Sequence, residues 1–223
     1  MRMSRPSIAG AISLVAAAPL VIVGTVVSPT ISDEAADQSA ALTDHRSAMI
    51  LGQALSNIAL VLLIGGTVWL TLTIAARSPK LAIAGGVLGV FGDLVVLFEG
   101  GVRATFASIV GSIDANSAST ALDRISSSAA VKGLEPLSLL GDIGLLILGI
   151  GAVKIGLDRW AAGALGIGAI VEGVGFATSV KAVVIIGFVL VFVGAVMAVR
   201  SAMTAAAAGS ETATTPPAER LAV

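Results

Sequence analysis

Cysteine is absent from this chain of 223 residues, which excludes disulfides, thiolate catalysis and lipid anchors attached to cysteine. Tyrosine is absent as well, and aromatic residues make up only 4% of the sequence. The single histidine, His45, has no second imidazole with which to form a metal site. The sequence therefore indicates neither a metal site nor a cofactor.

Charged residues are also scarce, at 12% of the chain, whereas a soluble domain carries about 25%. The net charge is −1, and no basic stripe is present that could follow a phosphate backbone, so nucleic acid is excluded as a partner. Hydrophobic residues make up 56% of the chain, and the mean hydropathy is +1.01. This composition predicts an integral membrane protein whose main partner is the lipid bilayer.

The lengths of the apolar runs predict an all-α bundle of six transmembrane helices. A bilayer core of about 30 Å requires about 20 apolar residues in a helix. Six stretches meet this requirement: residues 8–27, 49–75, 81–110, 137–157, 160–178 and 182–199. Only the polar segment 178–181 separates the last two, and we interpret it as a tight hairpin because one helix through both would be about 60 Å long. We interpret the first stretch as an uncleaved anchor, since its apolar run is longer than that of a signal peptide.

Lysine and arginine are distributed unevenly between the two ends of the predicted spans. With the N-terminus inside, the cytoplasmic face collects seven basic residues: Arg2, Arg5, Arg77, Lys80, Lys154, Arg159 and Arg200. The opposite face holds four: Arg46, Arg124, Lys132 and Lys181. The positive-inside rule then predicts three helical hairpins with both termini in the cytoplasm, and segments 28–48 and 111–136 outside. Residues 1–200 would form the transmembrane domain, and residues 201–223 a disordered cytoplasmic tail.

Several polar and ionisable side chains interrupt the predicted spans. At a rise of about 1.5 Å per residue, Asp93 in the third span and Glu172 in the fifth lie near the midplane. Asp142 would lie five residues from the outer end of the fourth span. We expect one polar cluster, open to the outside, with Asp93 and Glu172 at its floor. Its members, the candidate binding or proton-coupling residues, are Gln53, Asn57, Asp93, Glu99, Arg103, Asp142 and Glu172.

Helical spacing indicates how these side chains pair. Glu99 and Arg103 are four residues apart, so they can form an ion pair on one face of their helix. Asp93 lies on a different face, which makes Glu172, at a similar depth, its expected neighbour. Two carboxyl groups close together in a low dielectric cannot both ionise, so one of them should hold a proton. The alternative is that these residues form hydrogen bonds that only fix the packing of the helices.

Three segments of the sequence point to a family. SDEAADQSAALTDHRSAMILGQAL (32–55) leads from the outside into the second span, and the short basic loop RSPKLA (77–82) opens the third. LGDIGLLILGIGAVKIGLDRWAAGALGIGAIVEGVG (140–175) contains a span, a small inner turn and a glycine-rich span whose small residues predict a close helix contact. With this order of features, residues 8–199 resemble a family of six-helix bacterial integral membrane proteins of unknown function. The resemblance implies the topology and a multi-pass protein of the bacterial cell membrane, and it implies no activity.

Three classes of function remain open. The first is a non-enzymatic protein that handles a small solute or protons through the polar cluster. The second is an intramembrane enzyme acting on a lipid or isoprenoid, similar to integral terpene cyclases, with Asp93 or Glu172 as the general acid. Against it, six Phe and two Trp provide few aromatic faces for cationic intermediates. The third is a structural or accessory subunit whose polar residues hold the helices together.

Overall fold

The computed structural model describes residues 5–29, 44–109 and 113–214. Within these ranges the secondary structure is helical and contains no strand. The helices found there are α1 Arg5–Val27, α2 Arg46–Ala75, α3 Pro79–Ile109, α4 Ala115–Ser127, α5 Ala129–Lys154, α6 Arg159–Ala177 and α7 Lys181–Thr214. An all-helical fold follows from the apolar composition, because a segment in lipid must satisfy its backbone N–H and C=O groups internally.

Six of these helices are long and apolar enough to cross a membrane, which confirms the predicted number of spans. Their apolar segments are Ile8–Val27, Arg46–Ala75, Pro79–Ile109, Val131–Lys154, Arg159–Ala177 and Lys181–Ala205. The protein is therefore a multi-pass membrane protein. The main difference from the sequence prediction is in the fourth span, which begins six residues earlier than residue 137 and contains Pro136.

The six spanning helices form a closed ring in chain order. The most extensive contacts are within the pairs α1–α2, α3–α5 and α6–α7, which are the three predicted hairpins. Contacts between α2 and α3, α5 and α6, and α1 and α7 join the pairs and close the ring. We call the end of the bundle where α1 begins the terminal face, and the end that carries α4 the loop face. On the terminal face, Arg77 Nη1 donates a hydrogen bond to Ile155 O at 3.0 Å and ties two turns together.

Glycine residues allow the helices of two hairpins to pack backbone against backbone. Gly92 of α3 lies directly against Gly141 of α5, so that a Cβ at Gly92 would collide with the backbone of α5. In α6, a Cβ at Gly168 would lie 2.7 Å from Val191 N and 2.9 Å from Gly187 O of α7. The close helix contact predicted from the small residues of segment 163–175 is therefore present, and it is made with α7.

The loop face carries a short amphipathic helix, α4, in a segment where the sequence analysis identified no helix. Ala118 of α4 is buried against Phe106 and Ala107 of α3. Asp114 caps its N-terminus, with its carboxylate accepting hydrogen bonds from Ser117 Oγ at 2.6 Å and Ser117 N at 2.9 Å. These bonds lower the pKa of Asp114 below its ordinary value of 3.8, and the bond from the hydroxyl has the larger effect.

The last helix is longer than the predicted sixth span. α7 continues past residue 199 to Thr214. Residues 201–214, which the sequence analysis assigned to a disordered tail, are thus helical, whereas residues 215–223 lie outside the described ranges. Four consecutive alanines at 205–208 explain the extension, because alanine has the highest helix propensity of all residues.

Candidate functional site

Asp93 of α3 points into the bundle and retains only 5% of its surface exposed. The residue before it, Gly92, lies against α5 and brings the two backbones together, so the Asp93 side chain enters the seam between these helices. A Cβ at Gly141 of α5 would lie 3.3 Å from Asp93 Oδ1. On the other side, α2 presents Thr67, whose side chain is fully buried and whose hydroxyl faces the Asp93 carboxyl.

The side-chain oxygens of Asp93 and Thr67 face each other without forming a hydrogen bond of full geometry. Thr67 Oγ1 and Asp93 Oδ2 are both buried, and neither has a partner of full hydrogen-bond geometry among the described residues. The Thr67 backbone is better satisfied, since its carbonyl accepts a bond from Thr71 Oγ1 at 2.7 Å. Asp93 therefore has a hydroxyl within reach that is not committed to another acceptor.

Asp142 of α5 and Glu172 of α6 bring their carboxyl groups within hydrogen-bonding reach of each other. Gly173, the next residue of α6, makes room for this contact, because a Cβ there would collide with Asp142 Oδ2. Both acids are partly buried. A hydrogen bond between two carboxyl groups requires a proton on one of them, so the two can bond only when the pair holds a proton.

Asp142 stands between the other two acids. Its charge acts on Asp93 and on Glu172, and its helix, α5, packs against both α3 and α6. The charge of Asp93 also acts on Glu172, so the three carboxyl groups form one row, and a direct contact between Asp93 and Glu172 stays a prediction. We call Asp93, Asp142 and Glu172 the acid triad. Within the described residues, no three acidic or histidine side chains are close enough to hold a metal ion.

The three acids lie at one level in the bundle. Counted from the terminal-face ends of their spans, Asp93 is fourteen residues in, Asp142 twelve and Glu172 thirteen, which corresponds to about 20 Å. The sequence analysis placed Asp142 near the outer end of its span. That placement is corrected by the early start of α5 at Ala129, which puts Asp142 in the middle of the segment Val131–Lys154.

The remaining members of the predicted cluster lie closer to the loop face. Gln53 Nε2 donates a hydrogen bond to Asn57 Oδ1 at 2.9 Å, and this amide pair packs on Gly100 of α3. Gly100 is seven residues from Asp93, or about 10 Å along the helix. Glu99 is partly buried and Arg103 is exposed, and their ion pair stays a prediction. The polar residues thus form two groups at different depths.

Two features of the site were not recognised in the sequence. Thr67 was not predicted as a site residue because the hydroxyl of a helical threonine usually donates to the backbone carbonyl four residues earlier, as those of Thr71 and Thr73 do here. The central position of Asp142 was missed because the hydropathy of residues 131–136, which include Lys132 and Pro136, is too low to mark the start of a span. Gly92 and Gly141 were the available signal, since paired small residues mark where two membrane helices approach.

No family model, curated protein or solved structure matches the chain in comparisons with known proteins. The six-helix architecture implied by the resemblance to a bacterial membrane family is present in the fold. Membership in that family stays a prediction.

Proposed function

We propose that this multi-pass membrane protein takes up and releases protons at the acid triad. The observation that carries the proposal is the close approach of the Asp142 and Glu172 carboxyl groups, because two carboxylates in a low dielectric repel each other unless one of them binds a proton. Asp93 is electrostatically linked to this pair, so a change in its charge alters the affinity of the pair for that proton.

The depth of the triad supports the same conclusion. An unpaired charge at the centre of a membrane span costs at least about 3 kcal/mol, and this cost disappears when a carboxyl is protonated. Asp93 adds a second proton position, since its protonated form can donate to the unbonded Thr67 Oγ1. Together the three acids form a compact group whose total charge changes as protons bind.

We further propose that the proton site serves a small solute approaching from the loop face. The amide pair Gln53–Asn57 lies between that face and Asp93, and its unused donor and acceptor atoms suit a polar solute. In this proposal the protein resides in the bacterial cell membrane with both termini in the cytoplasm, as the distribution of lysine and arginine indicates.

Infrared difference spectroscopy of the protein reconstituted in lipid tests the proton site. Changing the pH should reveal the carbonyl band of a protonated carboxyl, and this band should disappear or shift in both Asp142→Asn and Glu172→Gln. Glu99→Gln is the matched control, since it removes a carboxyl from α3 outside the triad. A band that titrates identically in all three variants and the wild type would refute the proposal.

A structural role is the second candidate, and it is favoured by the same contact between Asp142 and Glu172. Interhelical hydrogen bonds also hold membrane helices together, at about 0.6 kcal/mol each. The spectra separate the two roles, because a purely structural pair keeps its proton at every pH at which the protein stays folded. The enzymatic alternative has less support, since four of the eight aromatic residues, Phe91, Phe98, Trp160 and Phe176, are exposed and so do not line the interior of the bundle.

A further inference from the structure

The outer surface of the ring has an open groove along the seam between α1 and α7, near the terminal face. Four apolar side chains line it, namely Val15, Val196, Val199 and Met203, together with Arg200 and Thr204. Its volume of about 480 Å³ lies within the range of roughly 300–1,000 Å³ that ligand sites occupy. Because the ring faces lipid on its outside, the groove is open to the acyl chains of the bilayer. We call it the Arg200 groove.

Arg200 is exposed and directly follows the apolar run that ends at Val199. Nineteen residues separate it from Lys181, the first residue of α7, so its Cα lies about 28 Å along the helix, close to the thickness of about 30 Å of a bilayer core. A guanidinium at this level extends its side chain into the interface, where the phosphates of lipid headgroups lie. The hydroxyl of Thr204 is already bonded to the Arg200 carbonyl at 3.0 Å, so it leaves the guanidinium unoccupied.

The protein itself supplies little negative charge at this level. Among the side chains that the structure describes, the terminal face has one carboxylate, Asp158, and it caps α6 by accepting a bond from Trp160 N at 2.8 Å. The basic side chains of this face are more numerous: Arg77, Lys80, Lys154, Arg159 and Arg200. An anionic headgroup at this level would therefore meet little competition for Arg200 from the carboxylates of the described residues.

We propose that the Arg200 groove binds an anionic phospholipid of the leaflet at the terminal face. The phosphate would pair with the guanidinium of Arg200, and one acyl chain would lie along Val15, Val196 and Val199. Basic pockets between transmembrane helices are typical sites for acidic lipid headgroups. This site is on the outside of the ring and does not depend on the proton chemistry of the acid triad.

Native mass spectrometry in detergent with added phosphatidylglycerol or phosphatidylcholine tests the charged half of the site. The wild type should retain phosphatidylglycerol in preference to phosphatidylcholine. Arg200→Gln should reduce the retention of phosphatidylglycerol about fivefold. Arg159→Gln is the matched control, because Arg159 is a basic residue of the same face that lies over the Trp160 ring, outside the groove. An equal loss in both variants, or no loss in Arg200→Gln, would overturn the proposal.

A second pair of measurements tests the apolar half. Val196→Phe fills the groove while keeping Arg200, so it should also weaken retention of phosphatidylglycerol. Inorganic phosphate and glycerophosphoglycerol, which lack acyl chains, should not displace the bound lipid at equal concentration. Displacement by either would show that Arg200 binds phosphate without a lipid. A wild-type dimer that carries no lipid and dissociates in Val196→Phe would assign the groove to a second copy of the chain. Either this result or displacement by a soluble phosphate would overturn the proposal.

Discussion

Asp142 of α5 and Glu172 of α6 place their carboxyl groups within hydrogen-bonding reach of each other, although the two residues are thirty positions apart in the sequence. Gly173 permits the contact by leaving space for Asp142 Oδ2, and Asp93 of α3 lies on the far side of Asp142. This close approach makes the seam between α5 and α6 depend on the protonation and identity of two acids.

Substitutions of Asp142 should separate the role of its hydrogen bond from that of its charge. Asp142→Ala removes the bond and leaves Glu172 without a partner, so we expect a loss of about 1–3 kcal/mol in the free energy of unfolding. Asp142→Asn keeps a donor and an acceptor at the position and should lose clearly less. Thermal unfolding in detergent measures both, and equal losses in the two variants would contradict a role for the bond.

The close contact between α6 and α7 should be sensitive to the smallest added side chain. Gly168→Ala places a Cβ 2.7 Å from Val191 N, and backbone atoms cannot give way as a flexible side chain can, so we expect a loss of about 1–3 kcal/mol. Gly163→Ala is the matched control in the same helix, since a Cβ there meets nothing within 4 Å. It should be neutral or stabilising, because alanine has the higher helix propensity. Equal melting temperatures for the two variants would show that α6 and α7 are further apart.

The capping of α4 should depend on pH. The pKa of Asp114 is lowered in the folded protein, so the carboxylate stabilises α4 at pH values above its ordinary pKa of 3.8. This stabilisation should be lost as the pH falls through the lowered value. Hydrogen exchange at the Ser117 amide measures the loss, with protection decreasing at acid pH. Asp114→Asn should remove the pH dependence, because an asparagine side chain caps a helix without titrating. Protection that falls equally in both proteins would mean that another group is responsible.

The membrane orientation can be tested by labelling single cysteines, since the native chain has none. Thr120→Cys lies on an exposed position of α4 at the loop face, and Ala76→Cys lies on an exposed turn at the terminal face. If the termini are cytoplasmic, an impermeant maleimide added to whole cells should label only the cysteine at 120. Labelling of only the cysteine at 76 would show that the protein has the opposite orientation.

The apolar runs of the sequence were sufficient to predict six membrane helices and their pairing into hairpins. The first predicted span, 8–27, lies within α1 and ends at the same residue, Val27, because the requirement for about 20 apolar residues depends on composition alone. The same reasoning failed at the start of α5, where Lys132 and Pro136 lower the hydropathy of residues that are nevertheless helical. A helix packed in a bundle tolerates a proline because its neighbours can satisfy the freed backbone group.

The polar site shows the limit of that reasoning. Sequence spacing gives the depth of Asp93 and Glu172 and their angles around their own helices, and it correctly indicated that both lie deep in the bundle. It does not give the rotation of one helix relative to the next. That rotation is decided by packing between helices: Gly92 against Gly141 turns Asp93 toward α5, and the space above Gly173 admits Asp142 beside Glu172. Only the tertiary structure could therefore place Asp142 between the other two acids and bring Thr67 to face Asp93.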